Sequence, residues 1–412
     1  MMGFGGLLGR VLDRPLSFVR TAPDDRPLRD LCHALLSEAG EASGLSLSRT
    51  ILDRYARLTD AEKLAFFEML AADFDLEAGT VHAALDAYSA GPSASSYRAF
   101  AIAAEPARQE LFRRLNRAPG ATGRLVAMRG DLLRLTDRAG PAGVVDQDMR
   151  HLLRSWFNRG FLVLSPIDWR SPALILDKII EYEAVHDIDG WDDLRRRLQP
   201  PDRRCFAFFH PALPDEPLIF VEVALTRGVP GSVQRLLSED REAIAAEEAD
   251  TAVFYSISNC QPGLAGISFG NSLIKQVVED LSASLPGLRT FVTLSPIPGL
   301  MRWLGAQECS ADLSDGDTLR RLAAAYLLDE QGGRGPRDPV ARFHLGNGAL
   351  VHAVHAGADT SPKGAAQSAG AMVNYLYDPA RLAQNHEALV HRGTIAASAP
   401  VRSLAAAGRK LL

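Results

Sequence analysis

Between Ala252 and Ser295 the apolar residues change period twice. From Ala252 to Ser258, Val253, Tyr255 and Ile257 alternate with Phe254, Ser256 and Ser258, in the β-branched and aromatic composition that strands favour. From Asn271 the spacing is helical, through Leu273, Ile274, Val277, Val278, Leu281 and Leu285. Asn271 serves as N-cap and Pro286-Gly287 as the stop. Phe291 to Leu294 reads as a second strand. The pattern predicts a parallel, right-handed βαβ crossover. Its first connection carries Gly263, Gly266 and Gly270.

Glycines let a backbone approach a ligand, and the N–H groups that open a helix sit at the positive end of its dipole. The loop therefore suits a pyrophosphate. Its spacing fits neither the dinucleotide fingerprint nor the P-loop, and three glycines before a helix are more often a tight turn.

Up to about Gly160 the apolar stripes are helical. Leu28, Leu31, Cys32, Leu35 and Leu36 form one, and Ile51, Leu52, Tyr55 and Leu58 another. Thr59 and Glu62 make a capping box ahead of Phe66, Phe67 and Leu70. Further runs cover 108–115, 125–135 and 148–157, with short breaks that predict an antiparallel bundle. No titratable cluster lies in it, so residues 1–160 read as a scaffold or oligomerisation domain. Residues 161–412 read as an α+β domain with a central sheet. Strands are expected near Phe161 and over Arg203–His210 and Pro217–Thr226, the last two as a hairpin. Helices are expected at 172–184, 191–198 and, on the solvent side, Glu239–Glu248.

With 412 residues, 47% of them hydrophobic, the chain can bury two or three cores. A formal charge of −5 and no long basic run argue against nucleic acid or an anionic membrane as partner. No stretch approaches the ~20 apolar residues of a membrane span. Cys32, Cys205, Cys260 and Cys309 are scattered, which fits a reducing, cytoplasmic compartment and neither a zinc site nor a disulfide framework. His344 reads as a loop residue before the strand Leu350–His355, and His352 and His355 lack the neighbouring carboxylates of a metal site. By themselves, His344 and Ser295 are ordinary loop and strand-end residues.

Eight strings, in order, change that picture. They are Trp169-Arg-Ser-Pro172, Tyr182-Glu-Ala-Val-His186, Phe254-Tyr-Ser-Ile-Ser258, Gln261-Pro-Gly-Leu-Ala-Gly266, Leu273-Ile-Lys-Gln-Val-Val278, Leu294-Ser-Pro-Ile-Pro-Gly299, Arg342-Phe-His-Leu-Gly-Asn-Gly-Ala349 and Met372-Val-Asn-Tyr-Leu-Tyr377. Together they resemble the malonyl-CoA decarboxylase family. The resemblance implies an N-terminal helical bundle used in homo-oligomer contacts, followed by a GNAT-like (acetyltransferase-type) mixed-sheet domain. It places the catalytic pair on Ser295 and His344. The CoA loop falls on Ala265, Gly266, Ile267, Ser268, Phe269, Gly270 and Asn271, just after Gly263. Ser256 and Tyr377 fall near the reacting acyl group. Animal members carry an acidic residue where this chain has Ser268.

The implied substrate is malonyl-CoA, and its chemistry asks for no metal or organic cofactor. Loss of CO2 leaves electrons that the thioester delocalises as an enolate. Ser295 is expected to donate to the thioester oxygen, and His344, as an imidazolium, to protonate the α-carbon. The two could instead act as a pair on the substrate carboxylate. Two other functions fit the same pattern: a CoA-dependent acyltransferase and a non-enzymatic acyl-CoA sensor.

Overall fold

A computed structural model describes residues 24–37, 40–137, 140–267, 273–329 and 335–412. They fall into two units, Met1–Asn158 with Gln261–Ser268, and Arg159–Cys260 with Phe269–Leu412.

The first unit contains helices α1 (Leu28–Ser37), α2 (Glu41–Tyr55), α3 (Asp60–Asp73), α4 (Ala78–Ala90), α5 (Ala94–Ala103), α6 (Ala107–Leu115), α7 (Ala121–Leu135) and α8 (Gly143–Trp156). The box expected at Thr59 and Glu62 opens α3, with the Glu62 carboxylate 2.8 Å from the Thr59 N–H. Leu31, Leu52, Phe67, Leu111, Leu125 and Met149 lie in one core, each worth about 1.5–3 kcal/mol of burial. α4 and α5 bury nothing fully; they meet each other through Tyr88, Tyr97 and Phe100.

Residues 261–267 group with this helical unit, whereas the sequence places them in the domain of residues 161–412. Arg129, 1% exposed, reaches from α7 to the carbonyls of Gly263 and Ala265, the latter at 3.0 Å, while Asp146 holds its Nε at 2.8 Å. A Cβ at Gly263 would run into the Val126 carbonyl. Glycine at 263 is thus required by the approach of a helix, which corrects the ligand-approach reason given by the sequence alone.

In the second unit the order is β1 (Val163–Ile167), α9 (Ala173–Tyr182), α10 (Trp191–Leu198), β2 (Arg203–Phe209), β3 (Ile219–Thr226), α11 (Val233–Leu237), β4 (Thr251–Asn259), α12 (Leu273–Ser284), β5 (Thr290–Thr293) and β6 (Ser295–Pro296). Then come α13 (Leu300–Ala306), α14 (Gly316–Leu327), α15 (Pro339–Gly346), β7 (Leu350–His355), α16 (Pro362–Ser368), β8 (Met372–Leu376), α17 (Leu382–Arg392) and α18 (Ala399–Gly408). The strands form one sheet in the order β1-β2-β3-β4-β5-β8-β6, with β7 also on β8. β2 and β3 are the expected hairpin, and β4 and β5 are the parallel pair of the crossover. A helical region followed by a mixed sheet is the order of units that the sequence predicts.

α12 packs Ile274, Val277 and Leu281 on one sheet face with Val221, Val223 and Phe254. The other face carries Ala224, Val253, Tyr255, Val292 and Leu294.

Two local expectations fail. Glu239–Glu248 is not a helix: only Ala246–Glu248 forms a 3₁₀ turn. The buried Asp202 carboxylate takes the Arg241 guanidinium and the Ile244 N–H, and this tertiary anchor overrides the helical composition. The simple alternation along β4 also breaks. Val223 pairs with Phe254 and Glu222 with Ser256, so Tyr255 is the extra residue of a bulge. Past it, Ser256 and Ser258 share the face of Glu222 and Phe220, opposite to Phe254.

Candidate active site

β4 and β5 run in parallel as far as Phe254 and Thr293, where the Leu294 N–H donates to the Phe254 carbonyl at 3.0 Å. There they part. β4 continues along β3 to Asn259, while Ser295 turns to pair with Val373 of β8. The result is a wedge in the sheet, with Ser295 on one wall.

Ser295 is buried, and its hydroxyl donates to Thr293 Oγ1 at 2.8 Å. Thr293 Oγ1 also accepts the Tyr375 N–H at 3.1 Å. His344 Nε2 lies 3.2 Å from Ser295 Oγ, and His344 Nδ1 lies 2.8 Å from the Tyr377 hydroxyl. The ring stacks on Tyr375 with centroids 4.5 Å apart. One proton assignment accounts for these three contacts: Tyr377 O–H to Nδ1, Nε2–H to Ser295, and Ser295 O–H to Thr293.

Burial pushes the His344 imidazole down to about 3. It is therefore neutral at physiological pH, which corrects the imidazolium expected from sequence. Burial also pushes the Tyr375 and Tyr377 phenols well above 10.

His344 is not in a loop; it occupies the last turn of α15. Pro339 takes the first helical position, and Asp338 caps the helix, accepting the N–H groups of Val340 and Ala341 at 2.9 and 3.0 Å. The other Asp338 oxygen accepts the Tyr326 hydroxyl at 3.2 Å and the Gly299 N–H at 3.4 Å. Gly299 ends the Ser295-Pro-Ile-Pro-Gly299 run, and a Cβ there would strike the Tyr326 hydroxyl. One fully buried carboxylate thus ties the His344 helix to the Ser295 segment. Asp338-Pro339 is a helix-start signal that the sequence carries, and it is the one through which Asp338 could have been found.

Of the sequence-predicted residues, Ser295, His344 and Tyr377 come together. Ser256 does not join their hydrogen-bond chain; it donates to both oxygens of Glu183, at 2.7 and 2.8 Å, on the sheet face opposite to Phe254. Gly263, Ala265, Gly266 and Ile267 lie in the helical unit, and Gly266 adopts φ of 72°, a glycine conformation. Ser268, Phe269, Gly270 and Asn271 fall outside the described residues. Among the described residues no three His, Cys, Asp or Glu side chains gather as a metal site, and no helix is long and apolar enough to cross a membrane.

A helical unit and a mixed-sheet unit, the latter with a serine and a neutral histidine where two parallel strands part, define a two-unit protein with its candidate active site in the sheet. The family model described as the malonyl-CoA decarboxylase C-terminal domain matches residues 160–317 and 310–411, and that of the N-terminal domain matches 74–157. The chain belongs to the malonyl-CoA decarboxylase family.

Among its relatives, the mitochondrial malonyl-CoA decarboxylase of Anser anser anser is 37% identical over 350 residues, covering 72% of this chain and 69% of the relative. That of Mus musculus is 35% identical over 357 residues, covering 73% and 71%. The crystal structure of malonyl-CoA decarboxylase from Agrobacterium vitis aligns with a TM-score of 0.87 at 50% identity, covering 92% of this chain and 99% of that one. That from Rhodopseudomonas palustris aligns with a TM-score of 0.85 at 50% identity, covering 91% and 98%.

Proposed function

We propose that this chain converts malonyl-CoA to acetyl-CoA and CO2, with the thioester in the wedge between β4 and β5. The observation that carries the reading is the buried chain Tyr377–His344–Ser295–Thr293 at the point where the strands part. Substrate displaces Thr293 as acceptor, and the Ser295 hydroxyl donates to the thioester oxygen as enolate charge develops there. Removing one such donor typically costs ~10²–10³ in rate.

CO2 leaves with its C–C bonding electrons delocalised into the thioester. The enolate carbon is a stronger base than an imidazolate, so His344 protonates it from Nε2–H although the ring is neutral. The Tyr377 hydroxyl, donating to Nδ1, spreads the charge left behind, and solvent returns the proton. Thioester delocalisation replaces any electron sink, so the scheme uses no metal or organic cofactor. The CoA pyrophosphate is assigned to residues 265–271 on the strength of the family motif.

The α4–α5 hairpin supports assembly through the helical unit: Tyr97 is 62% and Ile102 70% exposed. We assign a second copy of the chain to that surface. The four unpaired cysteines support a reducing, cytoplasmic location.

Incubating the pure protein with malonyl-CoA and no acceptor tests the function. Acetyl-CoA formation is the expected result. Product only in the presence of an amine makes the protein an acyltransferase, and binding without turnover makes it a sensor. Among the described residues, no carboxylate bonds to Ser295, His344 or Tyr377.

A further inference from the structure

We infer that Glu183 supplies a fixed negative charge facing the substrate's free carboxylate across the wedge, so that loss of CO2 relieves a repulsion. The inference deepens the decarboxylase reading and rests on it. Ser256 is the first residue of β4 to pair with β3 beyond the bulge, immediately past the last β4–β5 pair at Phe254. Its hydroxyl is pinned to Glu183, which places that carboxylate where the strands separate, on the sheet face opposite to Phe254. Thr293 is the parallel partner of Phe254, and Ser295 bonds to it from two residues on, so the Ser295–His344 pair lies on the Phe254 side. Because β4 and β5 have parted here, a malonyl unit threaded between them would have its thioester at Ser295 on one face and its carboxylate toward Glu183 on the other.

Every contact of Glu183 comes from a donor. Oε1 accepts the N–H groups of Val185 and His186 at 2.8 and 2.9 Å as well as the Ser256 hydroxyl, and Oε2 accepts Ser256 and, at 3.3 Å, Ser258. Among the described residues no cation pairs with it. The nearby Arg197 is held by Asp193, Glu222 and the carbonyls of His186 and Asp187. The charge reaches across the strand pair: Glu222, opposite Ser256 and fully buried, is pushed up to about 8 by its burial and then by Glu183. A second carboxylate brought to this place meets the same repulsion. Decarboxylation removes it, since the developing charge moves to the thioester oxygen on the Ser295 side.

The test uses E183Q and E183D in the full chain, with kcat for malonyl-CoA and inhibition constants for acetyl-CoA and for succinyl-CoA, which has a carboxylate but no β-carbonyl acid to lose. E183Q is expected to lower kcat by ~10-fold or more and to tighten succinyl-CoA several-fold, with acetyl-CoA unchanged; a lowered kcat with tighter charged ligand is the signature of lost ground-state strain. E183D keeps the charge and is expected to keep the wild-type ratio of the two constants. An unchanged kcat in E183Q, equal shifts for both ligands, or a ratio moved as far by Asp as by Gln overturns the inference. If wild-type protein made no acetyl-CoA, the proposed function would fall, while the two inhibition constants would still decide whether Glu183 repels a carboxylate.

Discussion

His344 Nε2 lies 3.2 Å from Ser295 Oγ, although 49 residues separate them in the chain. The neutral ring can only donate from that nitrogen while Tyr377 donates to the other. Ser295, receiving that bond, keeps its own proton free to move from Thr293 to a substrate oxygen. On this geometry Ser295→Ala and His344→Asn each lower kcat by ~10² or more with KM little changed, because both act on charge that develops in the transition state. The double variant loses less than the two single losses combined, since the residues share one network. Steady-state kinetics on the three variants checks this, and additive losses would separate the two residues.

Asp338 is expected to matter without touching substrate. Asp338→Ala removes the cap of α15 and the link to Gly299, leaving the Tyr326 hydroxyl without its acceptor in a buried place. Loss of a cap costs about 1 kcal/mol and a buried unsatisfied group about 1–3 kcal/mol more. Denaturant unfolding should show that loss, and kcat should fall while KM stays close to wild type. A stability loss with kcat intact would mean that His344 holds its place without this anchor.

The loop after β4 depends on the helical unit. Arg129→Met leaves the carbonyls of Gly263 and Ala265 without that donor and Asp146 without its partner at Nε. KM for malonyl-CoA should rise more than kcat falls if residues 265–271 bind CoA. Deleting the helices should therefore harm turnover as well as assembly. A truncated chain with wild-type KM would contradict this dependence.

Much of the sheet was legible because its strands announce themselves locally: the 203–226 hairpin and the 251–294 crossover follow from period and punctuation. His344 and Ser295 were legible only through the ordered motifs, since a lone histidine before a strand carries no chemical signal. Three features escaped because they are tertiary. The bulge at Tyr255 arises from pairing with β3 and turns Ser256 away from the Phe254 face. Burial, invisible in Phe-His-Leu, makes His344 neutral. Glu183 finds Ser256 73 residues away, through contacts that no spacing rule reports.

Assembly is read from α4 and α5. Tyr97→Glu with Ile102→Glu puts charge on the exposed side of the hairpin. Light scattering should show a smaller species than wild type, with turnover retained. An unchanged molar mass would move the contact elsewhere in the chain.

The most direct test of the account is kcat for acetyl-CoA formation, without acceptor, between pH 5.5 and 7.5. An imidazole pushed down to about 3 stays neutral throughout, so kcat should vary by no more than ~2-fold. An imidazolium acid near its ordinary ~6.5 loses its proton as pH rises, and kcat would fall toward tenfold per unit above that value. That fall, absent in His344→Asn, would contradict a neutral His344 as the donor.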